Sequence, residues 1–273
     1  MNKNTVKTIG GTAVFSLIIS AAVPVVPVKA SENQLVQLGG TDSYETAAAV
    51  ADSNWTSSDN VILVSSEGYA DAISAVVLSK QLNAPILLTG SSSLNSTTSD
   101  EISKLKPKNI YIIGGESVIS ESVRTQLRNS NYNLVELSGK NRYETNAAVA
   151  GELVKLGVDP SDVMMVGGSG FSDALSAAPA ASARGEILLL GDNDSTAMSS
   201  VSSFVKSNNS RVTVVGTKNI IGESIYNSLG AVKRIEGGAD RFATNLNVLR
   251  AFDENLKPDS IYVANASGGR YAD

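Results

Sequence analysis

The chain has 273 residues, of which 42% are hydrophobic, and a formal net charge of −5 with neither cysteine nor histidine. The absence of cysteine excludes disulfide bonds, and the absence of histidine excludes Ser-His-Asp and Cys-His catalysis and histidine-ligated zinc. The acidic balance disfavours nucleic acid as a partner, because nucleic acids are held mainly by basic patches. Catalysis by carboxylates alone stays open, and no motif calls for a cofactor or a metal.

Residues 1–30 have the pattern of a secretory signal peptide. Lys3 and Lys7 supply a positively charged start, residues 14–23 are mostly apolar, and Val28-Lys29-Ala30 resembles a cleavage site. A retained membrane anchor is the alternative, because residues 8–28 carry no charge. Two glycines and two prolines within that stretch disfavour an anchor. We therefore predict secretion, with no stable membrane insertion after cleavage.

The rest of the chain repeats itself with a period of about 99 residues, which indicates tandem modules. Each copy begins with a short apolar stretch, found at Leu35–Leu38, Leu134–Leu137 and Val232–Ile235. A glycine-led segment follows at 39–46, 139–145 and 237–244, and a Gly-aromatic-x-Asp motif recurs at 68–71 and 170–173. We predict a first module over 31–133, a second over 134–231 and a partial third over 232–273.

Apolar runs of strand length alternate with helical patterns within each module. After the opening stretch, the runs lie at 61–65, 85–89 and 110–114 in the first module and at 163–167, 187–190 and 212–216 in the second. Runs without polar alternation suit strands that are buried on both faces of a parallel sheet. Helices are predicted from position 44, over 70–82, 99–105 and 120–127, and over 172–183. Four strand–helix pairs in each module predict a doubly wound α/β fold.

The first helix of each copy begins with a capping signal. Asp42 with Glu45, and Asn141 with Glu144, have the spacing of a capping box. The third copy keeps the cap as Asp240, but an alanine replaces the reciprocal acid. Because losing one such bond costs about 1 kcal/mol, we expect this helix to form. The third copy should then have two strands, one helix and an unpaired sheet edge.

Glycine-rich turns follow several strands, at 39–40, 114–115 and 167–170. Such a turn before a helix can bind phosphate through free backbone N–H groups. None of the three matches a dinucleotide-binding or Walker motif, and tight strand-to-helix turns explain the glycines without a ligand.

Three aspartates near helix starts, Asp42, Asp71 and Asp173, have two interpretations. They are helix caps, or they contact a polymer or a metal. We favour the cap, which needs only the local chain. One carboxylate of the Asp71/Asp173 type per module does not make the carboxylate pair of a glycosidase.

Arg142 and Arg241 occupy equivalent positions at the start of the first helix, where the first module has Ser43. An arginine beside a glycine turn can bind phosphate or carboxylate, or it can form an ion pair between modules. The sequence leaves both interpretations open. The neighbouring aromatic residues, of which Phe242 is the third copy, are predicted to be core or interface residues.

Four segments in this order, at 39–51, 68–75, 85–89 and 112–115, resemble the type 2 cell wall-binding repeat of surface proteins from clostridia and related Gram-positive bacteria. The resemblance covers 35–273. It implies tandem Rossmann-like or Toprim-like modules with parallel sheets, packed around a pseudo-threefold axis. It also implies non-covalent anchoring to an anionic secondary polymer of the wall.

The resemblance further implies that the polymer contacts the Pro-Ile-Leu-Leu-Thr segment, which is Pro85, Ile86, Leu87, Leu88 and Thr89 here, and nearby polar or basic groups. Arg142 and Arg241 are our own candidates for such basic groups. The matching stretch of the second module, 186–190, lacks both the proline and the threonine. We therefore expect unequal binding by the modules. The middle of the segment also fits a buried strand, so that only its C-terminal end could contact a ligand.

These observations predict a secreted protein of the cell wall or cell surface that has no catalytic role within the residues shown. Its partners would be an anionic wall polymer, bound by several weak sites acting together, and the neighbouring modules of the same chain. Two alternatives stay open. The chain is the anchoring region of a wall-lytic amidase whose catalytic domain lies beyond Asp273, or it is a nucleotide-binding α/β protein.

Overall fold

A computed structural model describes residues 37–256 and 262–264. The predicted signal peptide and Tyr271–Asp273 lie outside the described residues. The chain divides after Gln37, and all the described helices and strands belong to the unit that begins at Leu38.

Helices and strands alternate along both repeats, as the apolar runs predicted. The first repeat contains α1 (Ser43–Asn54), β1 (Asn60–Ser65), α2 (Ala70–Leu82), β2 (Ile86–Thr89), α3 (Ser96–Leu105), β3 (Asn109–Ile113) and α4 (Glu121–Asn129). The chain continues with β4 (Asn133–Leu137), α5 (Arg142–Lys155), β5 (Asp162–Gly167), α6 (Phe171–Arg184), β6 (Ile187–Gly191), α7 (Ser199–Ser207), β7 (Arg211–Val215) and α8 (Glu223–Ser228). It ends with β8 (Lys233–Ile235), α9 (Arg241–Ala251) and a 3-10 turn at Asp253–Asn255.

The strands form two four-stranded parallel sheets, in the orders β2-β1-β3-β4 and β6-β5-β7-β8. Each sheet is doubly wound, because the chain moves outward from the central strand first to one side and then to the other. This arrangement confirms the predicted α/β class. The threefold arrangement that the resemblance implies involves residues outside those described and stays a prediction.

The sheets and the sequence repeats are out of phase by one strand. β4 pairs along β3, with Leu134 opposite Ile110, and β8 pairs along β7, with Arg234 opposite Val214. The strands that open the second and third sequence repeats therefore complete the sheet of the repeat before them, because a right-handed crossover through α4 or α8 returns the chain to the free edge. The expectation that 232–235 opens a sheet of the third copy is wrong. The module limits at 133/134 and 231/232 mark sequence repeats rather than sheets.

Alternate residues of the central strand β1 face two different cores. Val61 and Leu63 pack with α3 and α4 in a core of the first repeat alone. Ile62 and Val64 face a larger core that continues through α2, α5 and α6 into the second sheet. Because α2 packs against both α5 and α6, the two repeats share this core.

The predicted caps hold the first helix of each copy. The Asp42 carboxylate accepts from the Glu45 backbone N–H at 2.8 Å, and the Asp240 carboxylate accepts from Ala243 N–H at 2.8 Å. The Glu45 carboxylate in turn accepts from the backbone N–H of Thr41 at 2.7 Å, one residue before the cap. α9 forms without this reciprocal bond, as predicted.

Phe242 on α9 departs from the prediction of a core or interface aromatic, since 58% of it is exposed. Its counterpart Tyr143 is buried, because the ring lies against Gly168 and the hydroxyl bonds to Asp192, in the loops after β5 and β6. No described residue supplies such loops for α9. The described part of the third copy therefore leaves an apolar face of this helix exposed.

Candidate functional site

Doubly wound sheets bind ligands at the C-terminal ends of their strands, in the crevice where the strand order reverses. In the first sheet that crevice lies between β1 and β3, beside the start of α2 and the glycine turn that follows β3. Asp71 lies there in the first turn of α2. Gly114 adopts a φ of +120°, and a Cβ on it would lie 3.0 Å from a carboxylate oxygen of Asp71. Glycine therefore lets the sheet end close against this carboxylate.

The cap interpretation of Asp71 and Asp173 is wrong. The N-cap positions of α2 and α6 are Tyr69 and Gly170, and neither makes a side-chain capping bond. The two carboxylates instead lie within the first turn, against the end of the sheet. Burial raises the pKa of Asp71 to about 6, although the nearby positive charge of Arg142 opposes the shift.

The second repeat carries the same arrangement. A Cβ on Gly216, also at φ +120°, would lie 2.7 Å from a carboxylate oxygen of Asp173. Burial raises the pKa of Asp173, and a hydrogen bond from the Thr244 side chain on α9 opposes this shift. In both repeats, therefore, the aspartate of the crevice interacts with the first helix of the next copy. We call this contact between one copy and the first helix of the next copy a joint. The joint occupies the place where a nucleotide would bind in this type of sheet.

Arg142 lies at the joint between the first and second repeats. Its guanidinium donates to the Gly168 carbonyl at 2.6 Å and to the Tyr69 hydroxyl at 3.2 Å, and its central carbon lies 5.7 Å from the centroid of the Tyr69 ring. The Tyr69 hydroxyl itself donates to the Gly168 carbonyl at 3.0 Å. At the next joint Arg241 lies 5.2 Å from the centroid of the Phe171 ring. Both arginines thus contact an aromatic ring of the preceding copy, and a contact of either with a polymer stays a prediction.

Asn146 is a joint residue that the sequence interpretation missed. It is 1% exposed, and its amide donates to the Ser74 hydroxyl of the first repeat at 3.1 Å and to the Leu188 carbonyl at 3.0 Å. At the next joint Asn245 donates to Ser176 at 3.3 Å. The sequence signal for this contact was that both the asparagine and the serine recur at the repeat spacing. The first copy has Ala47 at the position of the asparagine.

The segment Pro85–Thr89 forms β2, at the outer edge of the first sheet. Pro85, Leu87 and Thr89 are buried, and Ile86 and Leu88 are half-buried against the shared core. The Thr89 hydroxyl donates to the Gly90 carbonyl at 3.1 Å. The counterpart strand β6 is buried along its whole length. At this segment, the polar groups that a ligand could reach lie in the loop that follows Thr89, and β2 itself does not join Asp71 and Arg142.

Residues 37–256 and 262–264 contain no group of three or more acidic side chains placed to hold a metal ion. Within the same ranges, no helix has the length and apolar character needed to span a bilayer.

Comparison with known proteins gives a consistent set of relatives. The family model for Cell wall binding domain 2 (CWB2) matches residues 37–124 and 136–226. The N-acetylmuramoyl-L-alanine amidase LytC of Bacillus subtilis (strain 168) is 30% identical over 241 residues, which cover 88% of this chain and 47% of LytC. The amidase enhancer of the same organism is 32% identical over 241 residues, covering 87% of this chain and 32% of that protein.

Among solved structures, Cwp6 from Clostridium difficile is similar, with a TM-score of 0.73 and 27% identity over 80% of this chain and 35% of that one. The chain thus spans about half of the curated relatives that it matches, or less. The family model, in contrast, covers more than half of the chain and both repeats. The chain therefore belongs to the Cell wall binding domain 2 family.

Proposed function

We propose that the chain is exported and binds the bacterial cell wall non-covalently through its tandem repeats, by contacts to an anionic secondary polymer. The observation that carries this proposal is the match of both repeats to a cell wall binding family. The amidase and the amidase enhancer among its relatives support it. The family is one of binding domains, so the residues shown are assigned no catalytic role.

The loop after Thr89 is our candidate for a polymer contact at the C-terminal edge of the first sheet. Gly90 and the three serines that follow present backbone and hydroxyl groups next to a rigid, buried strand. In the second repeat the same loop carries Asp192 and Asp194, and the Asp192 carboxylate accepts from the Tyr143 hydroxyl. Two carboxylates would repel an anionic polymer, so we expect the first repeat to bind more tightly.

Co-sedimentation with purified Gram-positive cell walls tests the proposal. The full chain should be retained by intact walls and lost from walls whose secondary polymer has been extracted. Retention should fall with rising salt, because the contact is with a polyanion. Equal retention on intact and extracted walls would exclude the polymer, and no retention on either would exclude wall binding.

A second candidate is that the chain targets a wall-lytic amidase to its substrate. The match to LytC favours it, because this chain spans 47% of that protein and leaves more than half of it unmatched. The repeats would then bind the wall in the same way, while catalysis resides in other residues. Turnover of peptidoglycan by the 273 residues alone would contradict this separation of wall binding from catalysis.

A further inference from the structure

The N-terminal edge of the first sheet, opposite the joints, carries a shallow hollow of about 380 Å³. The loops that lead into β1, β2 and β3 surround it. Its polar lining includes Asp59, Asn60, Asn83 and Lys106, and its apolar lining is Leu82 and Leu105. The lining is mainly polar, with two leucines among amide, hydroxyl and charged groups, so it suits a polar ligand rather than the apolar molecules that most enclosed pockets bind.

Trp55 holds one wall of the hollow in place. It ends α1, and its indole N–H donates to the backbone carbonyl of Asn83 at 3.0 Å and to the side-chain oxygen of Asn83 at 3.3 Å. Since the amide oxygen of Asn83 is engaged in this way, its NH2 group is the remaining hydrogen-bonding group. No described residue accepts from that NH2 group, so it is free to bond to a ligand.

Asn60 supplies a second amide donor through a ladder of asparagines. Asn133 donates to the side-chain oxygen of Asn109 at 2.8 Å, and Asn109 donates to that of Asn60 at 2.9 Å. All the amides of the ladder point in one direction, which leaves the NH2 group of Asn60 as its terminal donor. Hydrogen bonds in a chain polarise one another, so this donor is strengthened.

Positive charge gathers at this edge although the chain as a whole is acidic. Four lysines lie on it, in the last turns of α2 and α3 or just beyond: Lys80, Lys104, Lys106 and Lys108. Lys104 pairs with Asp52, and Lys108 pairs with Asp59 at 3.0 Å. Lys106 forms no ion pair with any described residue. Its ammonium is therefore available to an anion.

The backbone of Lys106 also argues against a purely structural role. It adopts the left-handed conformation, with φ +54°, which costs a residue with a Cβ about 1–2 kcal/mol. In the second repeat the left-handed positions after α6 and α7 are Gly185 and Asn209, residue types that tolerate this conformation. The first repeat therefore has a lysine at a position where glycine or asparagine would fold more easily.

We infer that this hollow binds an anionic sugar unit of the wall polymer, an assignment that rests on the proposed wall-binding function. Asn60 and Asn83 donate to sugar hydroxyls, Lys106 pairs with the phosphate or carboxylate of the sugar, and Leu82 and Leu105 contact its apolar face. The second repeat has Leu156 at the end of α5 and Gly185 after α6, in place of Trp55 and Asn83. Of the two repeats that the structure describes in full, the first alone therefore carries the subsite.

The single tryptophan of the chain provides the readout. We would titrate the full chain with glucose 1-phosphate, glucuronate, glucose and inorganic phosphate, and follow Trp55 fluorescence. One or both anionic sugars should give a saturable change at concentrations where glucose and phosphate give none, and the two arms distinguish a phosphorylated from a uronic ligand. A response to neither sugar, or an equal response to inorganic phosphate, would overturn the proposal.

Two variants separate binding from folding. Lys106→Gly should weaken binding of the sugar about tenfold, as loss of a charged contact does. Its melting temperature should equal or exceed that of the wild type, because glycine suits the left-handed turn. Asn83→Asp keeps the oxygen that accepts from Trp55 but repels an anion. Lys206→Gln, which removes an exposed lysine from the last turn of α7, is the matched control and should bind as the wild type does.

Wall sedimentation of the same proteins distinguishes this inference from the function on which it rests. Reduced retention of Lys106→Gly with normal retention of Lys206→Gln supports the subsite. Equal retention of the wild type, Lys106→Gly and Lys206→Gln would refute the subsite while wall binding stands. If the wild type does not bind walls, the proposed function fails, and the sugar titration still decides whether the hollow binds an anionic sugar.

Discussion

Arg124 of α4 and Arg234 of β8 bond to the same pair of backbone carbonyls in their two repeats, although they lie on different elements. One carbonyl follows the third strand of the sheet directly, and the other comes five residues later: these are Gly114 and Ile119 in the first repeat and Gly216 and Ile221 in the second. Glu136 occupies the position of Arg234 in the first sheet and pairs with Arg124 at 2.8 Å. In the second repeat Tyr226 of α8 lies against Arg234, with 4.9 Å between guanidinium carbon and ring centroid.

Since the arginine lies on the helix in one repeat and on the strand in the other, we predict that it can be moved from α4 to β4 in the first repeat. We call this the exchange. Arg124→Tyr should destabilise the protein by about 3–5 kcal/mol, because it leaves two carbonyls and Glu136 without their buried partner. The double variant Arg124→Tyr/Glu136→Arg reproduces the pair of the second repeat and should recover much of the loss. Urea unfolding of the wild type, of Arg124→Tyr, of Glu136→Arg and of the double variant measures the coupling between the two positions. A double variant no more stable than the sum of the two single effects would contradict the exchange.

Asn146 should be far more important for stability than its counterpart Asn245. Asn146→Ala leaves the Leu188 carbonyl and the Leu190 N–H, which it now bonds at 3.0 and 2.9 Å, unpaired inside the protein. We expect a loss of about 2–4 kcal/mol. Asn245→Ala removes one exposed bond to Ser176 and should cost about 0.5 kcal/mol or less. Thermal unfolding of the two variants under identical conditions checks the difference, and equal losses would refute it.

The sequence predicted elements better than their partners, for a physical reason. The apolar runs and the caps at Asp42, Asn141 and Asp240 determine local structure, so they located nearly every helix and strand. Sheet membership depends on where a crossover returns the chain, and a repeat period does not show that. For this reason β4 and β8 were assigned to the following copies.

The joints were predicted least well, because their chemistry is shared between copies. Asp71 was interpreted as a cap from its position in the chain, whereas its environment is formed by Gly114 and by Arg142 of the next repeat. Arg124 and Arg234 could not be matched at all, since they occupy different positions in the repeat. A comparison of copies by position finds conserved residues, but it misses a conserved contact that has moved to another element.

Arg142 allows joint stability to be separated from polymer binding. Arg142→Gln removes the bond to the Gly168 carbonyl and the contact with the Tyr69 ring, which should cost about 1–2 kcal/mol of unfolding free energy. Retention on cell walls, measured well below the melting temperature, should not change. Lys140→Gln removes a neighbouring exposed charge and is the control for a general electrostatic effect. Lost retention of Arg142→Gln alone, with stability intact, would instead make Arg142 a polymer contact.

Asp71 should make the stability of the protein depend on pH between about 4 and 6. Its pKa is raised in the folded state from 3.8 to about 6 by burial, so the folded state binds a proton more tightly than the unfolded chain does. The stabilisation is therefore fully present below pH 4 and is lost as the pH rises through 6. A shift of this size corresponds to roughly 1–3 kcal/mol.

Asp71→Asn isolates this contribution, because an amide of the same shape does not titrate. The variant should gain stability relative to the wild type as the pH rises from 4 to 6, and the difference should be constant on either side. Urea unfolding at a series of pH values measures it. In an Arg142→Gln background the transition of Asp71 should move to higher pH, since the positive charge that opposes the shift has been removed. A difference curve that is flat from pH 4 to 7 would show that the carboxylate is well solvated, and that the crevice between β1 and β3 is open to water rather than closed by the joint.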